Sequence, residues 1–272
     1  MTVSCQVIPK QERYIMSACK RDVSAEINMS MKELHLPGMR ECYQECLQIA
    51  NKDGQSYELF LLNLLMREQE TRQINRVVRL LKQSRLPLEK SLASFERKRL
   101  PHKTNLQLTA LLEGDFLDRR ENVLAFGAPG SGKTHLLCAI GHEMIQHGRR
   151  VFFTTCSSLV QDLLKAKQEY ALPRALKQLS KYDALIIDDI GYVQQSREEM
   201  EVLFTVLAHR YERGSVMLTS NLPFSQWETI FKDPMVTAAA IDRLVHHSVI
   251  IELNIESYRM EEARKRIKKS SK

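Results

Sequence analysis

No stretch of this 272-residue chain offers the roughly 18 consecutive apolar residues that a helix needs to cross a bilayer. The longest apolar run, Leu59 to Met66, is broken by Asn63. The opening residues, MTVSCQVIPKQERY, lack the basic segment, apolar core and small-residue cleavage site of a secretory leader. The expectation is therefore a cytoplasmic protein with no membrane partner. The six cysteines (Cys5, Cys19, Cys42, Cys46, Cys138 and Cys156) show no C-x-x-C and no paired-histidine spacing, which argues against a zinc site and for reduced thiols. Cys42 and Cys46 lie four apart, so they share one helix face and read as structural. No repeat of 20 to 50 residues is visible, which excludes solenoids and propellers. Aromatic residues make up only 7% of the chain.

Positive charge is plentiful and unevenly placed. The net charge is +7, yet Leu65 to Lys103 alone carries eleven basic residues against four acidic ones, and the tail from Arg259 carries seven against two. The rest of the chain is thus slightly acidic. Two such concentrated segments are the footprint of a surface that binds a polyanion. A solvated helix face is the plainer alternative for each.

The chain divides by rhythm. Residues 1–30 show no apolar periodicity and read as an extension without order. Residues 31–100 read as a small all-α basic domain. Pro37 and Gly38 punctuate, MRECYQECLQIAN makes a helix, and Tyr57 to about Lys82 makes a longer one. In that helix Ile74, Val77, Val78 and Leu81 repeat at helical spacing as the packing face. Arg72, Arg76, Arg79 and Lys82 remain as candidate DNA contacts. After Pro87, LEKSLASFERKR is expected to form one more short helix, and Pro101 marks the domain boundary. Beyond it the runs NVLAF, RVFFT, ALIID, SVMLTS and SVIIEL alternate with helical segments. That pattern predicts an α/β domain over 101–258, a parallel sheet covered by helices on both faces, followed by a basic tail, 259–272.

Within that domain, FGAPGSGKTH fits G-x-x-x-x-G-K-[ST] between a predicted strand and a predicted helix. Gly127, Gly130 and Gly132 let the backbone wrap so that its N–H groups face phosphate oxygens, with Ser131 and His135 in the same stretch, and the next helix offers its positive end. Lys133 reaches the β and γ phosphates of ATP, and Thr134 supplies a hydroxyl to Mg²⁺. Away from this stretch His246 and His247, like His135, have no metal-type partner and read as structural or surface residues. The strand ALIID ends in Asp188 and Asp189, where ligands bind at the carboxyl ends of parallel strands. Asp188 is assigned to Mg²⁺ and Asp189 to the attacking water.

Taken together, FGAPGSGKTH, ALIIDDIGY and VMLTSNLPFSQW resemble the AAA+ ATPases of the helicase-loader branch, most closely the IstB family of insertion-sequence transposition helpers. The likeness spans about Leu34 to Arg266. It implies that Asn221 is the polar sensor of the γ phosphate, that Arg243 is an arginine finger reaching a neighbouring subunit's nucleotide, and that Arg259 acts as a second sensor in cis. Arg210 and Arg213 are the fallback fingers. The likeness further implies a homo-oligomer with ATP at its subunit interfaces, bound to duplex DNA and assisting a transposase. Asp189 departs from the glutamate of most AAA+ proteins. A DnaC-like helicase loader and a small-metabolite kinase are the competing readings.

Overall fold

The computed structural model describes residues 22–191, 196–228, 234–255, 257, 258 and 260. Contacts divide the chain between Asn75 and Arg76, earlier than the proline boundary expected at Pro101.

The first unit is helical. Helix α1, Val23–Glu33, starts inside the stretch expected to lack order, because the Asp22 carboxylate accepts the Ala25 N–H at 3.1 Å and caps it. Ile27 and Met31, one turn apart, give it an anchor that a scan for longer periodicity overlooks. Helix α2, Pro37–Asp53, begins at the proline read as punctuation; proline suits a first helical position because its missing N–H would be unpaired there anyway. Leu36 offers α2 no capping side chain. The cap comes instead from Glu68 of helix α3, Tyr57–Ser84, whose carboxylate accepts from Met39 N–H at 3.1 Å and Arg72 Nε at 2.7 Å. Burial would raise this carboxyl's pKa. The Arg72 guanidinium and the N–H groups of Met39 and Gly38 outweigh that and hold it below the usual range. Gly38 permits the close approach of α2 and α3, since a Cβ there would lie 2.5 Å from Thr71 Oγ1. Met31, Met39, Tyr43 and Leu64 form the small core, with Cys42 and Cys46 against it. Burial and the neighbouring Cys46 push the Cys42 thiol up to about 11.

In the carboxyl-terminal part of α3 the packing face is rotated from the expected one. Val77, Leu80, Leu81 and Ser84 turn inward, while Ile74 and Val78 are 63% and 58% exposed. The period was legible but the phase was not: Leu80 completes the inward stripe. Arg76 likewise does not stand free, because its Nη2 donates to the Gly148 carbonyl at 3.0 Å. The short helix expected after Pro87 is replaced by turns and a single 3-10 turn, Arg97–Arg99. Ser94 explains the change, as its hydroxyl hydrogen bonds to the carbonyls of Glu89 (2.6 Å) and Ser91 (3.0 Å), closing a local turn in competition with a helix.

The second unit is the expected α/β layer structure. Helices α4, His102–Glu113, and α5, Asp115–Asp118, lead into β1, Asn122–Gly127; then follow α6, Lys133–Gln146; β2, Val151–Thr155; α7, Cys156–Gln168; α8, Leu172–Leu179; β3, Ala184–Ile190; α9, Arg197–Arg210; β4, Ser215–Ser220; α10, Pro234–Val245; and β5, Ser248–Leu253. All five strands are parallel, in the order β2-β3-β4-β1-β5. Alternate side chains feed alternate layers, as a pleat requires. Val123, Ala125, Ile186, Met217 and Ile251 pack with α4 and α6, whereas Leu124, Phe126, Leu185, Ile187 and Leu218 pack with α7, α9, α10 and Trp227. Each fully buried Leu or Ile contributes about 1.5–3 kcal/mol, so both faces are heavily committed.

Candidate nucleotide site

Strand register brings the site together. Thr155 pairs with Asp188, Phe126 with Ser220 and Gly127 with Leu253, so the phosphate loop, the paired aspartates and Asn221 all emerge at one end of the sheet. The loop depends on glycine at two points. Gly127 (φ +149°) would drive a Cβ into the Leu253 carbonyl, and Gly130 (φ +80°) would drive one into the Ser257 hydroxyl. Inside the loop Lys133 is 5% exposed and its Nζ donates to the carbonyls of Gly127 (2.8 Å) and Ala128 (3.0 Å) and to Asn221 Oδ1 (2.5 Å). Lys133 and the sensor candidate Asn221 are thus already in contact. The Ser131 hydroxyl is buried with no hydrogen-bond partner among the described residues, a polar atom that a phosphate oxygen would satisfy.

The paired aspartates point different ways, and a bulge is the reason. Between Ile187 and Ile190 β3 advances three residues while its partner β4 advances two, from Leu218 to Ser220. Asp189 takes up the extra residue with a left-handed backbone, φ +61°. Its N–H, lost to the strand ladder, donates to Thr219 Oγ1 at 2.8 Å; that hydroxyl donates in turn to Asp188 Oδ1 at 2.7 Å. Thr134 Oγ1 donates to the same Asp188 oxygen at 2.7 Å. Asp188 is therefore buried and held between two hydroxyls, whereas Asp189 is exposed and lines the cavity. Thr134 and Asp188 are oxygen donors that could hold a hard cation.

The cavity over the loop has a volume of about 570 Å³. Its far wall is the turn segment before α4, which sequence patterns did not assign to the site. His135 Nε2 meets the Ser91 carbonyl at 3.0 Å and Ser94 Oγ at 3.2 Å, and Phe95 packs edge-on against the His135 ring with centroids 5.1 Å apart. Arg99 lies over the Tyr258 ring, 5.3 Å from its centroid. The cavity thus has a phosphate end and an aromatic end. The signal for the second was a lone Phe95 in a basic stretch, too little to place without the fold.

The remaining candidates are scattered. Arg243 stands on α10 beside Leu244, whose carbonyl accepts from Asn122, the first residue of β1. It is therefore a strand length, roughly 17 Å, from the loop end of the sheet. Its guanidinium lies 4.8 Å over the Phe204 ring, and it does not line the cavity. Arg210 is buried and ties together the carbonyls of Leu179, Tyr182, Asp183 and Ser215, so the fallback role as a finger is ruled out by burial. Burial pushes its pKa down to about 10. Arg72 binds Glu68 and the His35 carbonyl, while Arg79 and Lys82 are exposed. Arg259 lies outside the described residues.

Comparison with known proteins agrees with this geometry. An insertion-sequence ATP-binding protein of Sinorhizobium fredii is 40% identical over 240 residues, 88% of this chain and 80% of the relative. Another, from Geobacillus stearothermophilus, is 39% identical over 231 residues, 85% of this chain and 92% of the relative. Among solved structures, AMPPCP-bound DnaA from Aquifex aeolicus aligns with a TM-score of 0.53 at 17% identity, covering 68% of this chain and 57% of that one. The DnaC helicase loader aligns with a TM-score of 0.53 at 16% identity, covering 61% and 98%. These two likenesses establish the AAA+ P-loop fold. The family of IstB-like ATP binding proteins matches residues 29–266. With the phosphate loop, the split aspartate pair and the five-stranded parallel sheet in place, this chain belongs to that family.

Proposed function

We propose that the protein is an ATPase that assembles on duplex DNA and assists a transposase, with ATP binding as the assembly signal and hydrolysis as the release. The observation that carries the enzymatic part is the bulge at Asp189, which turns one carboxylate into the cavity beside the Lys133–Asn221 pair while burying the other. Asp189 would orient or deprotonate the attacking water, and Asn221 would follow the γ phosphate once Lys133 turns to it. Thr134 and Asp188 would hold Mg²⁺, which supplies neutralising charge at the phosphates. Arg243, outside its own chain's cavity, suits a finger that serves a neighbouring protomer, so the oligomer would complete each site. Arg259 would act in cis.

The insertion-sequence relatives support the transposase as partner. The basic helical region 31–100, with Arg72, Arg76, Arg79 and Lys82 as phosphate contacts, and the tail 259–272 support DNA as the surface for assembly. Such contacts are largely blind to sequence and weaken as salt rises. Size-exclusion chromatography with duplex DNA and a non-hydrolysable ATP analogue tests the reading. Large particles should form only when both are present; a chain that stays monomeric with both, at low and moderate salt, overturns it. Mixing Arg243→Ala with Lys133→Ala protein should restore part of the lost hydrolysis if the finger acts between subunits.

A further inference from the structure

The β2 edge of the sheet carries a groove that the nucleotide site does not use. One cavity there is lined by Arg76, Arg79, Leu80, Gln83 and Arg150. It shares Gln83 and Arg150 with a second of about 390 Å³, whose lining includes Arg85, Phe152, Lys181 and Tyr182. Five cations thus face one trough. Among its described lining residues the only carboxylate is Asp162. The Asp183 carboxylate nearby is engaged by the Arg150 backbone N–H at 2.7 Å. Among the described residues neither Arg79 nor Arg150 has a hydrogen-bond or ion-pair partner for its guanidinium.

The floor is aromatic. The Phe152 and Tyr182 rings lie 5.0 Å apart, 37° from parallel, and the Arg85 guanidinium sits 5.2 Å over the Phe152 ring. Three flat groups therefore cluster around Phe152. Arg85 holds its place there with a left-handed backbone, φ +58°, directly after the last residue of α3. Glycine is the usual residue in that position, and an arginine there is strained by about 1 kcal/mol or more. Nothing in the ATP cavity gains from this strain, whereas the groove gains a cationic plane.

We propose that this groove takes an unpaired nucleotide of a nucleic-acid strand, with the phosphate on Arg79 and Arg150 and the base against the Arg85–Phe152–Tyr182 cluster. A duplex could offer the arginines its phosphates, but its bases are stacked inside and cannot reach a recessed aromatic floor. Stacking on aromatic rings and guanidinium planes is how single strands are held. The groove shares Arg76 and Arg79 with the duplex contacts proposed above, but none of its residues lines the nucleotide cavity, so strand binding here does not depend on ATP.

The test uses the full chain, a fluorescein-labelled twelve-residue oligothymidylate and a duplex of equal length, with anisotropy read across a salt series. The strand should bind without ATP and should bind Lys133→Ala protein equally well, so that failure of ATP-driven assembly and failure of this site are separable. Arg79→Gln with Arg150→Gln should weaken strand binding about tenfold and reduce the log–log salt slope by about 1.4, that is, about 0.7 for each phosphate contact. Tyr182→Leu should weaken strand binding about fivefold or more and leave duplex binding within about twofold. Independently of any variant, a strand bearing 5-iodouracil should photocross-link to the peptide holding Phe152 or the one holding Tyr182. Strand binding indifferent to both changes, equal losses for strand and duplex on Tyr182→Leu, or cross-links confined to other peptides would each overturn the proposal.

Discussion

Thr219→Val replaces a hydroxyl by a methyl group of the same shape at a fully buried position. Two hydrogen bonds vanish together: the one donated to Asp188 Oδ1 and the one accepted from Asp189 N–H, 2.7 and 2.8 Å long. The first is a bond to a charged group, of the kind that contributes about 1.5–3 kcal/mol; the second leaves a backbone donor partnerless, at about 1–3 kcal/mol. The Asp189 amide is only partly buried and water recovers some of its loss, so the combined destabilisation is about 2–4 kcal/mol. For a unit of this size that corresponds to a fall in Tm of roughly 4–16 °C. Urea titration of parent and variant measures it, with the slope expected to stay constant. Release of the bulge should also let the Asp189 carboxylate wander, so ATP turnover should fall more than ATP binding. Thr219→Ser, which keeps the hydroxyl, should recover most of both. A Thr219→Val protein within about 0.5 kcal/mol of the parent, with unchanged turnover, would refute the claim that this hydroxyl holds the two aspartates apart.

Gly130→Ala should abolish ATP binding in isothermal titration while leaving the far-UV circular dichroism intact, because the new Cβ meets the Ser257 side chain and the +80° backbone disfavours any L side chain. For the helical unit the pH dependence has a definite sign. Glu68 is held below its unfolded pKa of about 4.3 by Arg72 and two backbone N–H groups. Its stabilisation is therefore complete above that value and is lost as pH falls through the folded pKa. Glu68→Gln should cost about 1–3 kcal/mol at pH 7 and flatten the acid limb of stability between pH 5 and 3 in urea titrations; an unchanged acid limb would remove Glu68 as its cause.

The parts legible in the sequence were those written by local rules. Five short apolar runs named the five strands, and G-x-x-x-x-G-K-[ST] fixed the loop because its glycines answer to backbone angles and near approaches that no other residue meets. The place of Asp188 near the carboxyl end of a strand was legible from ALIID. Thr219 was not, since a threonine inside a buried strand looks like any β-branched core residue until the bulge beside it is seen. The phase of α3 was lost for a related reason: Ile74 and Val78 fit the helical period as well as Leu80 does, and only the assembled core that takes in Leu80 selects between them. The turn segment before α4 failed as a predicted helix because Ser94 closes its own loop. With it went the aromatic wall of the nucleotide cavity.

One consequence of the lysine's position concerns readiness. With its ammonium lodged against Gly127, Ala128 and Asn221, the phosphate loop stays propped in its receptive shape by an internal placeholder. Arrival of a triphosphate would then exchange partners around a standing frame, so little ordering entropy would be lost on capture. The side chain set free by that exchange would be Asn221, at the tip of β4, so occupancy of the loop would be felt first along the central strand of the sheet.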